Sequence, residues 1–135
     1  MTFVQKNYYT SAKTTKGLDG SYYASMFEAS YANELYARKR IKEIESYDTQ
    51  VSMPLVVNGY KIGTYIADFI IYHLDGSNEI VETKGFRTPV FNLKWKLVEA
   101  LYTKDYKITL LMQRDTTPAM KKKGWGKWTP RVIEF

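Results

Sequence analysis

The chain has 135 residues, enough for one domain with a real core and too few for two. It carries no cysteine and one histidine, His73, which excludes a disulfide scaffold, a thiolate zinc site and a cysteine nucleophile, and argues against a histidine-built metal site or Ser-His-Asp triad. A formal net charge of +6, with Lys and Arg interleaved among tyrosines, points to an anionic partner, and nucleic acid suits that mixture.

A membrane surface is the competing partner, but no lipid anchor motif or long basic amphipathic helix supports it. No stretch approaches a transmembrane span, and Met1-Thr2-Phe3-Val4 runs into polar residues rather than a signal-peptide core. The expectation is a protein of the cytoplasm, that of the host cell if it is phage-encoded. Any metal would be held by oxygen ligands, which favours Mg²⁺, with Mn²⁺ as a substitute. The plainer alternative is a basic domain that is merely soluble.

Residues 1–20 are polar, basic and tyrosine-bearing, with Lys16-Gly17 and Asp19-Gly20 as turn signals, and read as a loose arm ending in a short hairpin. A helix is expected from about Ser25 to Lys42, where Phe27, Tyr31 and Leu35 recur at helical spacing. Arg38, Lys39, Arg40 and Lys42 complement the negative end of its dipole. Strands over Val51–Val57 and Tyr60–Tyr72 flank Asn58-Gly59, a strong two-residue hairpin signal. Pro54 cannot donate to a ladder, which makes the first of these an edge strand. A third strand spans Asn78–Gly85, and a helix spans Pro89–Tyr102 with Pro89 tolerated in its first turn. Lys107–Gln113 reads as a further strand. The basic, aromatic tail from Arg114 carries Lys121 to Lys123, Trp125 and Trp128, and closes on a short strand, Arg131–Phe135. A right-handed strand-helix-strand crossover makes the strand at Lys107 parallel to the third. The expected fold is α/β: helix, three antiparallel strands, helix, strand, forming a mixed sheet flanked by helices.

Two of these strands break their own pattern. Tyr65 to Tyr72 is apolar except for Asp68, and an ionised carboxylate in a buried strand is costly without a partner. The plain explanation is that Asp68 satisfies backbone amides. In the third strand, period-two alternation sends Glu82 and Lys84 to one face and Val81 and Thr83 to the other. Alone, Glu82-Thr83-Lys84 would be an ordinary exposed ion pair; with Asp68 on the preceding strand it becomes a constellation.

Register tests whether these residues meet. A two-residue Asp75-Gly76 turn would pair Leu74 with Ser77 and place Asp68 and Glu82 on opposite faces. A three-residue Leu74-Asp75-Gly76 loop pairs His73 with Ser77 and restores a common face, with Gly76 suited to the left-handed position. The longer loop, or an equivalent bulge, is therefore predicted. The first helix offers a further acid, Glu28, although Ser25-Met26-Phe27-Glu28 also matches a capping box in which Glu28 bonds back to the Ser25 amide.

Glu28, then Ile66-Ala67-Asp68, then Glu82-Thr83-Lys84, in this order of elements, resembles the PD-(D/E)xK nuclease superfamily, with Ile66-Ala67 standing where the signature has Pro before Asp. More narrowly, Tyr22 to Tyr102 is similar to a phage and prophage family of predicted endonucleases related to Holliday-junction resolvases. The carrying segments are Ser25 to Ala29, Asn58 to Ile62, Ala67 to Phe69 and Val81 to Gly85. The resemblance implies a restriction-endonuclease-like core over 22–113, set between the arm (1–20) and the tail (114–135), the whole forming a single nuclease domain. It also implies a division of labour. Asp68 and Glu82, with the Thr83 backbone carbonyl, would coordinate Mg²⁺. Lys84 would orient or activate the attacking water or stabilise transition-state charge, and Glu28 would complete the site directly or through water. Arg87, Lys94 and Lys96 are candidates for phosphate contacts against the alternative of a solvated helix face, and Gln50 is a weaker DNA-side candidate. A homodimer acting on branched DNA follows from cutting two strands symmetrically. The competing function is a non-catalytic DNA-binding module or degenerate nuclease, and a structural phage protein would leave Asp68 without a reason.

Overall fold

The computed structural model describes residues 15–112. The first fourteen residues of the arm and the whole tail, including Trp125, Trp128 and the strand expected at Arg131–Phe135, lie outside the described residues. The described chain is an α/β fold with a mixed four-stranded sheet and two helices.

It begins with the expected short hairpin, β1 (Thr15–Lys16) antiparallel to β2 (Tyr22–Tyr23). The turn between them closes through the Gly17 amide on the Ser21 carbonyl, and Gly20 takes a positive φ of 89°. Helix α1 (Met26–Arg40) follows. Its N-terminus is set by Ser25, whose extended backbone turns its hydroxyl to accept from the Glu28 amide at 3.1 Å. Its C-terminus stops at Ile41, and Lys42 takes a left-handed φ of 63° as the chain turns away.

A meander of β3 (Ser46–Val57), β4 (Tyr60–Tyr72) and β5 (Asn78–Lys84) comes next, then α2 (Pro89–Tyr102) and β6 (Lys107–Met112). The sheet order is β3-β4-β5-β6, antiparallel except for the parallel β5–β6 pair joined through α2. β3 begins five residues before the expected start at Val51. Its first residues, Ser-Tyr-Asp-Thr-Gln, are polar because β3 is an edge strand that is only partly covered. Pro54 sits on this edge as anticipated, opposite Thr64.

Both hairpins form as their turn residues dictate. Asn58 and Gly59 have φ of 51° and 82°, the pair of positive values a type I′ turn demands, with Val57 opposite Tyr60. A bulge follows where Leu55 pairs with Gly63 but Val56 with Lys61, leaving Ile62 extra. The second connection is the three-residue loop: the His73 amide donates to the Ser77 carbonyl at 2.9 Å, the Gly76 amide donates to the His73 carbonyl, and Gly76 has φ of 90°.

The helices cover opposite faces of the sheet. Phe27, Tyr31 and Leu35 of α1 pack with Phe69, Ile71, Val81 and Leu111. Phe91, Trp95 and Val98 of α2 pack with Ile70, Ile80, Ile108 and Leu110, and with Met53, Leu55, Tyr65 and Ala67 of the long hairpin. Each fully buried side chain of this size contributes about 1.5–3 kcal/mol. Strict alternation cannot produce this division. On β4, Phe69 and Ile71 join the α1 cluster while Tyr65 and Ala67, of the same parity, join the α2 cluster. On β3, Tyr47 packs against the first cluster while Met53 and Leu55 belong to the second. Alternation therefore slips once in each strand, at the mutually opposed positions Gln50 and Asp68. There Gln50 adopts a left-handed φ of 54° and the pairing is interrupted between Thr49↔Phe69 and Val51↔Ala67.

Candidate functional site

Asp68 and Glu82 face each other where the sheet opens. The β4–β5 ladder runs from Tyr72↔Asn78 to Phe69↔Val81 and stops there; one step further in the same register lies Asp68 opposite Glu82. Beyond that point β5 is paired with β6 alone, out to Lys84↔Met112. The Thr83 amide donates instead to Asp68 Oδ2 at 2.9 Å, and the Thr83 hydroxyl donates to the same oxygen at 2.8 Å. Asp68 thus does satisfy a backbone amide, as the plain explanation anticipated, and does so while facing a second carboxylate.

Glu82 is 5% exposed. Its Oε1 accepts from the Tyr65 hydroxyl, and its Oε2 lies 3.6 Å from Lys84 Nζ, so Glu82 and Lys84 share a face as alternation required. Lys84 Nζ also sits 4.3 Å from the centroid of Phe91, which packs the cation against an aromatic ring of α2. From the other layer, the first turn of α1 brings in Glu28. Its Oε2 accepts from Gln50 Nε2 at 2.9 Å, and its carboxylate also takes a backbone bond from Ala24. Only half of the capping box forms. Ser25 caps the Glu28 amide, but the Glu28 side chain turns to Ala24 and Gln50 rather than to the Ser25 amide, which frees it to face the sheet. Gln50 reaches both acids, since its side chain also bonds Asp68, and the left-handed backbone at Gln50 is what aims it there.

The electrostatics are lopsided. Burial, then the Asp68 charge, pushes the Glu28 carboxyl up to about 8. Burial followed by the same neighbour pushes Glu82 up to about 8, against the opposing bond from Tyr65 and the charge of Lys84. Burial also raises Asp68, opposed by the two Thr83 bonds, Lys84 and Gln50. Among the described residues Lys84 is the cation that acts on all of these carboxyls, and one ammonium does not balance them. The cluster is built of oxygen donors that, among the described residues, are short of positive charge, which is the chemistry a hard divalent cation matches. No group of three or more His, Asp or Glu side chains among the described residues is gathered tightly enough to hold an ion alone. Any ion would therefore rest on fewer protein ligands and complete its shell with water.

The remaining expected residues divide. Arg87 donates from Nε to Asn92 Oδ1 at 2.7 Å and lies beside Phe91, at the edge of the site. Lys94 donates to the Thr64 carbonyl at 3.1 Å and so clamps α2 to the long hairpin. Lys96 is exposed. Thr83 acts through its amide and hydroxyl, which anchor Asp68. Tyr65 was not foreseen. Its place in the apolar run read as core, and its bond to Glu82 depends on the slip in alternation at Asp68, which no local pattern announces.

No helix among the described residues is long and apolar enough to cross a membrane. No curated protein matches this chain. Among solved structures it is similar to one titled "Crystal structure of SSO0001", at 23% identity and a TM-score of 0.40, over 78% of this chain and 47% of that one. The chain thus spans about half the length of that neighbour. The family described as "Protein of unknown function (DUF1064)" matches residues 6–115, most of the sequence, and the chain belongs to that family.

Proposed function

We propose that this protein is a metal-dependent DNA endonuclease of the PD-(D/E)xK type with a restriction-endonuclease-like core. Its substrate on this reading is branched DNA of the Holliday-junction kind, cut by a homodimer in the cytoplasm. The observation that carries the proposal is the opposition of Asp68 and Glu82 at the point where β4 and β5 part, with Lys84 3.6 Å from Glu82. Glu28 and Gln50 close the same space from α1 and β3.

In this reading Asp68 and Glu82, with the Thr83 carbonyl, would hold Mg²⁺, and Glu28 would add to the shell through water. The bound ion supplies Lewis acidity and a lowered pKa for a coordinated water. The chain's own groups do the rest. Thr83 fixes the rotamer of Asp68 through two bonds to one oxygen. Tyr65 fixes Glu82 by donating to Oε1. Lys84, held against Phe91 and close to Glu82, places a positive charge where a scissile phosphate would develop negative charge, and is positioned to orient the attacking water. Gln50 holds Glu28 and Asp68 at a set separation despite their mutual repulsion.

A DNA-binding module without catalysis is the second reading, favoured by the net charge of +6. Carboxylates facing a phosphate path weaken a pure binder, which is why the enzymatic reading is preferred. Incubation with labelled four-way junction, flap, nicked and linear duplex, in Mg²⁺ or in EDTA, separates the two. Metal-dependent strand scission that Asp68→Asn abolishes supports the nuclease; tight binding with no scission of any substrate supports the module.

A further inference from the structure

The segment that leaves the site has an unusual surface. β5 ends at Lys84, and the connection 85–88 leads into α2, whose Phe91, Trp95 and Val98 face the core. On the outer side, Phe86 is 76% exposed, Val90 66% and Leu93 64%. Val90 and Leu93 are one helical turn apart on the same side, and Phe86 precedes them, two residues after Lys84. Single exposed apolar residues need no explanation, but three large ones between residues 86 and 93, just after a candidate active-site strand, do.

Their setting is cationic. Arg87 and the exposed Lys96 flank the three side chains, while Lys84 faces Glu82 and Lys94 is held on the Thr64 carbonyl, and in sequence the next acid after Glu82 is Glu99. A second copy of the chain docking here about a two-fold axis would bring Arg87 and Lys96 against their own copies, while the nearby Glu82 is already engaged with Lys84 at 3.6 Å. Nucleic acid answers both features: phosphates meet the cations, and base faces meet the apolar side chains. An intact duplex hides its base faces in the stack, whereas a branch point or gap presents them.

We infer that Phe86, with Val90 and Leu93, is a base-stacking wedge that holds an unpaired or splayed nucleotide beside the scissile phosphate. The enzyme's substrate is then DNA whose stacking is already interrupted at the cut. The inference rests on the nuclease reading and adds to it the feature of DNA that this surface recognises. Phe86 lies two residues beyond Lys84, and Arg87 stays beside Phe91, 5.8 Å from its centroid, so wedge and catalytic lysine are carried on one short segment.

The test uses the full chain in EDTA with junction DNA carrying 2-aminopurine at the branch, and the same fluorophore within continuous duplex. The parent protein is expected to raise fluorescence on the junction alone. Phe86→Ala should abolish that rise and weaken junction binding roughly tenfold or more while leaving duplex binding unchanged, and Phe86→Trp should restore both. Equal junction binding and equal fluorescence for parent and Phe86→Ala would overturn the inference. So would a concentration-dependent dimer in sedimentation that Phe86→Asp dissociates, since the patch would then belong to a second copy. A fluorescence rise that depends on Phe86, in a protein that cuts nothing in Mg²⁺, would keep the wedge and remove the nuclease.

Discussion

Glu82→Gln should make the metal-free protein more stable at alkaline pH while removing the proposed nuclease activity. Glu82 is buried and pushed up to about 8 by burial and by Asp68. A carboxyl raised in the folded state imposes no penalty below its ordinary value of 4.5 and costs progressively more stability as pH rises through about 8. The full shift corresponds to a ceiling of roughly 5 kcal/mol, of which relaxation and the Asp68 coupling leave an expected 1–3 kcal/mol. Glutamine keeps an oxygen for the Tyr65 hydroxyl and discards the charge. The assay is thermal melting in EDTA at pH 5.5 and pH 9. The parent should lose several degrees between the two, and the variant should melt about 3–10 °C above the parent at pH 9 while matching it more closely at pH 5.5. A variant less stable than the parent at pH 9, or a parent whose melting is flat with pH, would refute the view that this cluster stores uncompensated negative charge.

Other substitutions probe the scaffold. Gly76→Ala has open space around it but a φ of 90°, and should cost about 1 kcal/mol in urea unfolding, with Gly76→Asn costing less. Leu35→Ala, at a fully buried position between α1 and the sheet, should cost about 2–5 kcal/mol by the same measurement. Asp19 accepts from the hydroxyls of Tyr23 and Tyr47 and from the Ser21 amide, tying the first hairpin to β3, so Asp19→Asn should cost about 1–3 kcal/mol at neutral pH. Burial pushes this carboxyl up, but those bonds outweigh it and hold it below 3.8. Its contribution is therefore present above 3.8 and lost as pH falls further, and the gap between parent and variant should narrow in acid.

Much of this architecture was legible because short-range rules govern it. Asn58-Gly59 specifies a type I′ turn, and the need for Asp68 and Glu82 to share a face specified a three-residue Leu74–Gly76 loop, which is the one observed. The bounds of α2 were readable from Pro89 and from the apolar period that follows. What escaped was set by tertiary context. The polar start of β3 is a strand because β4 offers it a partner, not because Ser46 to Gln50 favour extension. The slip of alternation at Gln50 and Asp68 moves Tyr65 and Ala67 to the α2 side, and no periodicity reports it because both strands slip together. Glu28 had two readings from spacing, and only the Ser25 half of the capping box forms: Ser25 caps the Glu28 amide, while the Glu28 carboxylate bonds Gln50 and Ala24 and not the Ser25 amide. Lys94 looked like a phosphate contact and instead bonds the Thr64 carbonyl, a partner thirty residues away.

On the proposed function, the space between Asp68 and Glu82 is a cation-dependent phosphodiester-cleaving centre. The most direct measurement is the initial rate of strand scission on a labelled four-way junction as Mg²⁺ replaces EDTA, for the parent and for Asp68→Asn at matched DNA occupancy. Scission should saturate with Mg²⁺ in the parent and fall by on the order of a hundredfold or more in the variant. Scission that is independent of Mg²⁺, or unchanged in Asp68→Asn, would contradict it.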